Sequence, residues 1–282
     1  MLGRAIDYLI DYKARQRIAI ALAKGGASML SRTVDPTDPR TWEFSGFSQN
    51  GEDGILDVLR RRLPSPNRFV LEIGAADGTE NNSSWLLMAE RYEGLMVEGD
   101  PRQSARARRN IARYSIGSEC LSMFVTLDTV DAILKKVPYR DSDIFSLDID
   151  GNDYHIARRM FDAGFRPKIV AVEYNSAFGP ERSIATPYRA DFARSTAHPS
   201  LLYYGVSVAA WKAFFAARGY RFVTVDLCGV NAFFVDPAHF DAAFLDGLRS
   251  LPFAENRYQL RAHGTGHAGQ FAQVADQPYE QV

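Results

Sequence analysis

Cysteine is scarce: Cys120 and Cys228 are the only two in 282 residues. They form no Cys-x-x-Cys pair, which excludes a structural zinc site or a disulfide framework. Such a chain suits a reducing compartment, so a soluble cytoplasmic protein is expected. No apolar run approaches the roughly 20 residues that a membrane span needs. The N-terminus has no apolar core followed by a small-residue cleavage site, so no signal peptide is expected. Excess charge is missing too. Lys+Arg is 33 and Asp+Glu is 34, a net charge of −1, which excludes a general nucleic-acid binder. No internal repeat is visible. What remains is ordinary globular composition, 46% apolar and 24% charged. That suits one large α/β domain with short extensions, or two small domains.

Three regions follow from the pattern along the chain. Residues 1–43 read as a helical extension and linker. Ile6, Leu9, Ile10, Ile18, Ala21 and Leu22 fall at helical spacing among Arg4, Lys13, Arg15 and Arg17, and the helix is expected to break at Gly25-Gly26. It has a face for its own domain, a membrane surface or a second subunit. Residues 44–254 alternate short apolar runs with helical stretches. Strands are expected at 69–73, 95–98, 121–126, 144–149 and 169–174, with helices at 82–92, 101–114, 129–137, 154–163 and 208–218. This alternation argues a mainly parallel sheet with helices on both faces. The last two strands, 222–227 and 232–235, leave no room for a helix between them and so pair antiparallel. Residues 255–282 hold few large apolar side chains and read as a C-terminal arm, and both extensions are open to use in a homo-oligomer.

The strongest motif is Phe69-Val70-Leu71-Glu72-Ile73-Gly74-Ala75-Ala76-Asp77-Gly78. A strand enters a turn where Gly74 and Gly78 let the backbone approach a ligand closely. The spacing is Gly-x-x-x-Gly, not the Gly-x-Gly-x-x-Gly of dinucleotide enzymes. Glu72 and Asp77 would repel a pyrophosphate but not a cofactor carrying a sulfonium and an ammonium. Glu98, in Leu95-Met96-Val97-Glu98-Gly99-Asp100, ends the next strand about 20 residues on, the offset for a carboxylate that accepts both ribose hydroxyls.

These segments resemble the FkbM-like S-adenosylmethionine-dependent methyltransferases. The likeness starts at Ser48-Gln49-Asn50-Gly51-Glu52-Asp53 and includes Glu72-Ile73-Gly74-Ala75 and Glu98-Gly99-Asp100. It continues through Asp148-Ile149-Asp150-Gly151-Asn152-Asp153-Tyr154, Glu173-Tyr174-Asn175 and Gly229–Val235, covering about residues 44–236. The group more usually has Asp-x-Glu-Gly-x-Glu where this chain carries shorter acids at 148–153. The resemblance implies a Rossmann-like, seven-stranded methyltransferase sheet. The cofactor, S-adenosylmethionine, would be bound by Gln49, Glu72, Gly74, Ala75, Asp77, Gly78, Glu98 and Asp100. It also implies O-methylation of a sugar, polysaccharide or polyketide-like natural product.

Methyl transfer to a hydroxyl needs in-line geometry, a proton acceptor and charge stabilisation. Asp148, Asp150 and Asp153 cluster at one strand end, and Glu173 and Asn175 close the neighbouring one. Oxygen donors converging there suit Mg²⁺. The arrangement resembles the metal-dependent macrocin O-methyltransferases, and Asp148, Glu173 and Asn175 are the expected ligands. Asp153 has a plainer role open to it, capping the helix that follows. Asp148, Asp150 and His155 are the catalytic candidates, His155 as general base and His198 behind it. The loop from Asn175 to Tyr203 reads as a lid, with Arg182 and Arg189 placed to meet an anionic group and tyrosines to stack on a sugar. The arginines of 102–113 read as a solvated helix face. Two competing readings remain at this level, a nicotinamide-dependent oxidoreductase and a non-catalytic scaffold of glycan assembly.

Overall fold

Strands buried on both sides read as unbroken apolar runs, and this chain supplies them in alternation with helices. The computed structural model describes residues 2–282. Its strands are β1 (Phe69–Ile73), β2 (Glu93–Glu98), β3 (Glu119–Ser122), β4 (Ile144–Leu147), β5 (Ile169–Glu173), β6 (Ile184–Ala185), β7 (Arg221–Val225), β8 (Asn231–Val235) and β9 (Glu280–Gln281). The helices are α1 (Leu2–Ser31), α2 (Glu52–Arg60), α3 (Ser84–Ala89), α4 (Pro101–Ile111), α5 (Val130–Lys136), α6 (Asp153–Asp162), α7 (Arg194–Ala197), α8 (Val208–Ala216), α9 (Ala242–Asp246), α10 (Arg257–His263) and α11 (His267–Ala272).

Seven strands form one sheet in the order β3-β2-β1-β4-β5-β8-β7. Only β8 runs against the rest: it pairs antiparallel with both β5 and β7, as the short connection requires. Gly229, at φ +75°, makes that connection, and the buried Asp226 carboxylate accepts from Cys228 N at 2.8 Å. Alternate residues face opposite layers. Leu71, Ile73, Val170, Val172 and Phe234 pack on one side with Ile156, Trp211 and Phe215. Val70, Ile169, Ala171, Phe233 and Val235 pack on the other with Leu56, Leu59 and Leu86. The sheet is therefore the doubly covered, Rossmann-like one expected.

Three expectations change. First, the helix does not break at Gly25-Gly26. Residues 2–8, 10 and 11 have side chains outside the described residues, and with them go Arg4, Ile6, Asp7 and Ile10 of the expected stripe. From Tyr12 on, α1 runs straight through the two glycines. A Cβ at Gly25 would sit 2.3 Å from the Trp85 ring, so this glycine admits the indole rather than ending the helix. Ile18, Phe44, Phe47 and Trp85 form the small core that anchors α1. Second, the helix expected at 82–92 starts only at Ser84, because the Glu72 carboxylate holds the N–H groups of Asn82 and Ser83.

Third, residues 255–282 are not an extended arm. They form α10 and α11, bury Gln259, Gln270 and Val274, and pair β9 with β6. They also pin the 175–203 loop. Phe178 packs edge-on against Phe271 and Tyr279, and Tyr203 Oη donates to the Pro278 carbonyl at 2.6 Å. Among the described residues no helix is long and apolar enough to cross a membrane.

Candidate functional site

The chain leaves β1 towards β2 and β3, then returns to build β4 and β5 on the opposite side. In an open sheet of this kind, ligands bind outside the carboxyl ends where the order switches, here between β1 and β4. Gly74 follows β1 and Asp148 follows β4. Gly74 has φ +93°, and a Cβ there would lie 1.6 Å from the Asp148 carbonyl oxygen. The two loops touch through backbone, which leaves space above them on either side.

One space is a cavity of about 460 Å³ over β1, β2 and β4. Its wall includes Gln49, Gly74, Ala76, Glu98, Gly99, Phe124 and Ile149. Among the described residues five carboxylates line it, Glu80, Glu98, Asp100, Asp148 and Asp150, and no Lys, Arg or His does. Glu98 accepts from Ala76 N at 2.8 Å and from Asp100 N at 2.7 Å, so its carboxylate is fixed at the strand end with lone pairs to spare.

The second space, about 390 Å³, lies over β4 and β5 under the 175–203 loop and α10. It is lined by amides, among them Asn50, Asn81, Asn82, Asn231 and Gln259, and by carboxylates, Glu52, Glu72, Glu80, Asp148, Asp150 and Glu173, with Arg194, Tyr258 and His263. The carbonyl oxygens of Asn50 and Asn231 are buried there without a hydrogen-bond partner. Gln49, Gly74, Glu80, Asp148 and Asp150 border both cavities.

At that border the carboxylates of Asp148, Asp150 and Glu173 bring one oxygen each within 4.8 Å of one another. Burial, then Asp150 and Asp153, pushes the Asp148 carboxyl up to about 8. Burial and Asp148 push Glu173 well above the usual carboxylate range. Arg194 answers part of this charge: it donates to Asp150 at 2.5 Å and lies 3.8 Å over the Tyr204 ring. Asp150 itself has φ +54°, the left-handed region in which Asp is one of the few tolerated side chains.

Several expected site residues have other roles. Asp100 caps α4, accepting from Arg102 N at 2.7 Å and Gln103 N at 3.0 Å, although it stays at the rim of the larger cavity. Asp77 turns to Thr79 and borders a different cleft, with Lys13, Arg17, Arg106 and Arg109. Glu72 lines the smaller cavity, yet its oxygens hold Asn82 and Ser83, and burial raises it to about 7. Ala75 is fully buried, and Gly78 packs against Ala107. Asn175 is unsuited to a metal. Its amide nitrogen donates to the Leu202 and Tyr204 carbonyls at 2.7 and 2.9 Å, and its oxygen accepts from Ala177 N. Asp150 takes the third place in the acid cluster instead. Asp153 orders the loop, accepting from Ile149 N and Gly151 N at 2.9 and 2.8 Å.

His155 is buried on α6 and borders neither cavity. Its Nε2 donates to the Thr186 carbonyl at 2.9 Å, its Nδ1 has no partner, and burial lowers its pKa. It sits between Tyr154 and Tyr188 in edge-on contacts, so the general-base assignment fails. His198 bonds Ser200. Arg182 lies over Phe271 and Arg189 pairs with Asp191, so the cation of the loop that reaches the site is Arg194.

These shifts fix a pH dependence. Asp53, Glu72 and Asp148 have folded pKa values raised to about 7, 7 and 8. Their contribution to stability is fully present below the unfolded value of about 4 and is lost as pH rises through the folded values. His155 has the opposite sign: its depressed pKa removes stability only as pH falls below its unfolded value of about 6.5. The metal-free protein should therefore melt at a higher temperature at about pH 6 than at about pH 8, and Asp148→Asn should narrow the gap. A melting temperature unchanged between these values in the wild type would contradict the burial of these acids.

No family model matches the chain, and no curated protein does. Solved structures with a similar course exist. An O-methyltransferase from Bacillus cereus, in complex with SAH, is 16% identical over 78% of this chain and 89% of its own, with a TM-score of 0.45. The O-methyltransferase TomG from Streptomyces achromogenes, in complex with SAM, is 16% identical over 75% and 93%, with a TM-score of 0.44. A putative O-methyltransferase from Klebsiella pneumoniae is 16% identical over 78% and 97%, with a TM-score of 0.41.

Proposed function

We propose that the chain is an S-adenosylmethionine-dependent O-methyltransferase of the FkbM-like kind, acting in the cytoplasm on a hydroxyl of a sugar, polysaccharide or glycosylated natural product. The observation that carries this reading is the larger cavity's wall of five carboxylates with, among the described residues, no cationic side chain. Such a wall repels a pyrophosphate and so disfavours a dinucleotide, whereas it stabilises a ligand bearing a sulfonium and an ammonium. Glu98 would accept the ribose hydroxyls, Phe124 would cover the adenine, and the Gly74 backbone would admit the chain beyond. The cofactor supplies a methyl group activated by its positive sulfur.

Asp148 stands where the two cavities meet and would take the proton of the acceptor hydroxyl. The amide-lined second cavity offers paired donors and acceptors, the chemistry that matches a polyhydroxylated ring. Asp148, Asp150 and Glu173 have the hard oxygen donors that Mg²⁺ prefers and would be its ligands, with Arg194 giving up Asp150. A divalent ion there would make a bound hydroxyl more acidic.

Glu98→Gln and Glu98→Ala test the cofactor site. Losing charge-assisted bonds to the ribose should weaken S-adenosylhomocysteine binding by roughly 10²-fold. Calorimetry reads this, with the melting temperature as a control for the lost Ala76 and Asp100 contacts. Affinity unchanged in both folded variants would refute the placement.

A further inference from the structure

Among the described residues, helix α1 is anchored along one side. Ile18, Gly25 and the partly buried Ala21, Leu22 and Met29 face Phe44, Phe47 and Trp85. With about 3.6 residues per turn, Leu9, Gln16, Ile20, Ala23 and Ala27 fall on the opposite side. All five are exposed, Leu9 by 56% and Ile20 by 65%, with Tyr12 and Leu30 beside them at 50% and 91%. A stripe facing outward over some 20 residues that is apolar but for Gln16 is unusual for a helix already docked on a core.

Charge says what covers it. Over its whole length the helix carries Arg4, Lys13, Arg15, Arg17 and Lys24 against two acids, Asp7 and Asp11, and from Tyr12 to Ser31 its charges are all positive. Lys13 and Arg17, on one flank of the stripe, line a cleft of about 190 Å³ with Arg106 and Arg109 of α4. Two acids oppose them. Asp77 in the cleft is bound to Thr79, and Glu80 meets Arg17 at 3.9 Å with both side chains more than half exposed. A second copy meeting this face symmetrically would bring like charges together.

We infer that the outer face of α1, with the α1–α4 cleft, docks on an anionic lipid surface. The stripe enters the headgroup boundary, and the cleft receives lipid phosphates. The helix lies on the membrane and does not cross it, in keeping with its cations.

Flotation of the full chain with vesicles tests this. Wild type should rise with vesicles of phosphatidylcholine and phosphatidylglycerol in equal parts, stay behind with phosphatidylcholine alone, and be released by salt. Ile20→Glu, and Lys13→Glu with Arg17→Glu, should each lower partitioning on the order of tenfold with the melting temperature kept. A wild type that ignores the mixed vesicles overturns the inference. So does a dimer in solution that Ile20→Glu splits without any vesicle binding, which would give the face to a second copy. Capture of inorganic phosphate with no vesicle binding overturns it too. Cofactor affinity is independent of all these readouts, so the inference and the proposed activity fail separately.

Discussion

Gly74→Ala should cost about 4 kcal/mol or more of folding stability, a large share of the roughly 5–15 kcal/mol that holds an ordinary domain folded. Two effects add. The residue has φ +93°, where any L side chain is strained by about 1–2 kcal/mol. Its new Cβ would also fall 1.6 Å from the Asp148 carbonyl oxygen, and that atom is backbone at the end of β4, with no rotamer to escape into. Relief requires β1 and β4 to part, in the middle of the sheet. Gly164 separates the two effects. It has φ +81°, yet nothing lies within 4 Å of its Cβ position. Gly164→Ala should therefore cost only about 1–2 kcal/mol. Urea unfolding of both variants gives the comparison. Equal losses would mean that the β1 and β4 loops are not packed as described.

Asp148→Asn should leave S-adenosylhomocysteine affinity within about twofold and lower turnover by about 10²–10⁴-fold, the usual contribution of a positioned acid or base. The amide keeps the size of the side chain, so the cavity border is preserved. It cannot accept the hydroxyl proton, and it is a poor ligand for Mg²⁺. With the carboxyl raised to about 8, turnover of the metal-free wild type should climb as pH rises towards that value. His155→Asn is the contrasting variant. Its imidazole borders neither cavity, so the pH profile should keep its shape even if stability falls. Full turnover in Asp148→Asn, or loss of the pH limb in His155→Asn, would return the base to His155.

The sheet was legible because its signal is apolar. Val70, Val170 and Phe233 stand in runs buried on both sides, and the reversal at β8 follows from a connection too short for a helix. The glycine turn and the strand-end position of Glu98 were legible too: Gly74 has φ +93° against the Asp148 backbone, and Glu98 closes β2 with its carboxylate held by Ala76 N and Asp100 N. What failed were polar side chains whose partners lie far away in the chain. Asn175 looks like a ligand at a strand end, but its amide is consumed by carbonyls of residues 202 and 204. His155 is two residues beyond Asp153, and the first turn of α6 carries it towards Thr186. Arg194 reaches Asp150 across 44 positions, which no local pattern reveals. The C-terminal segment read as an arm because amides and a two-residue strand hold it down: Gln259 donates to Tyr204 Oη at 3.1 Å and Gln270 to the Thr265 carbonyl at 2.7 Å. Hydropathy does not register such contacts.

The most direct test of the central claim is calorimetric titration of the purified chain with S-adenosylmethionine, S-adenosylhomocysteine and NADH, each with and without Mg²⁺. The carboxylate-lined cavity predicts micromolar binding of the first two and none of NADH. Binding of NADH alone would make the chain a nicotinamide enzyme, and no heat from any of the three would leave it a scaffold with an empty cleft.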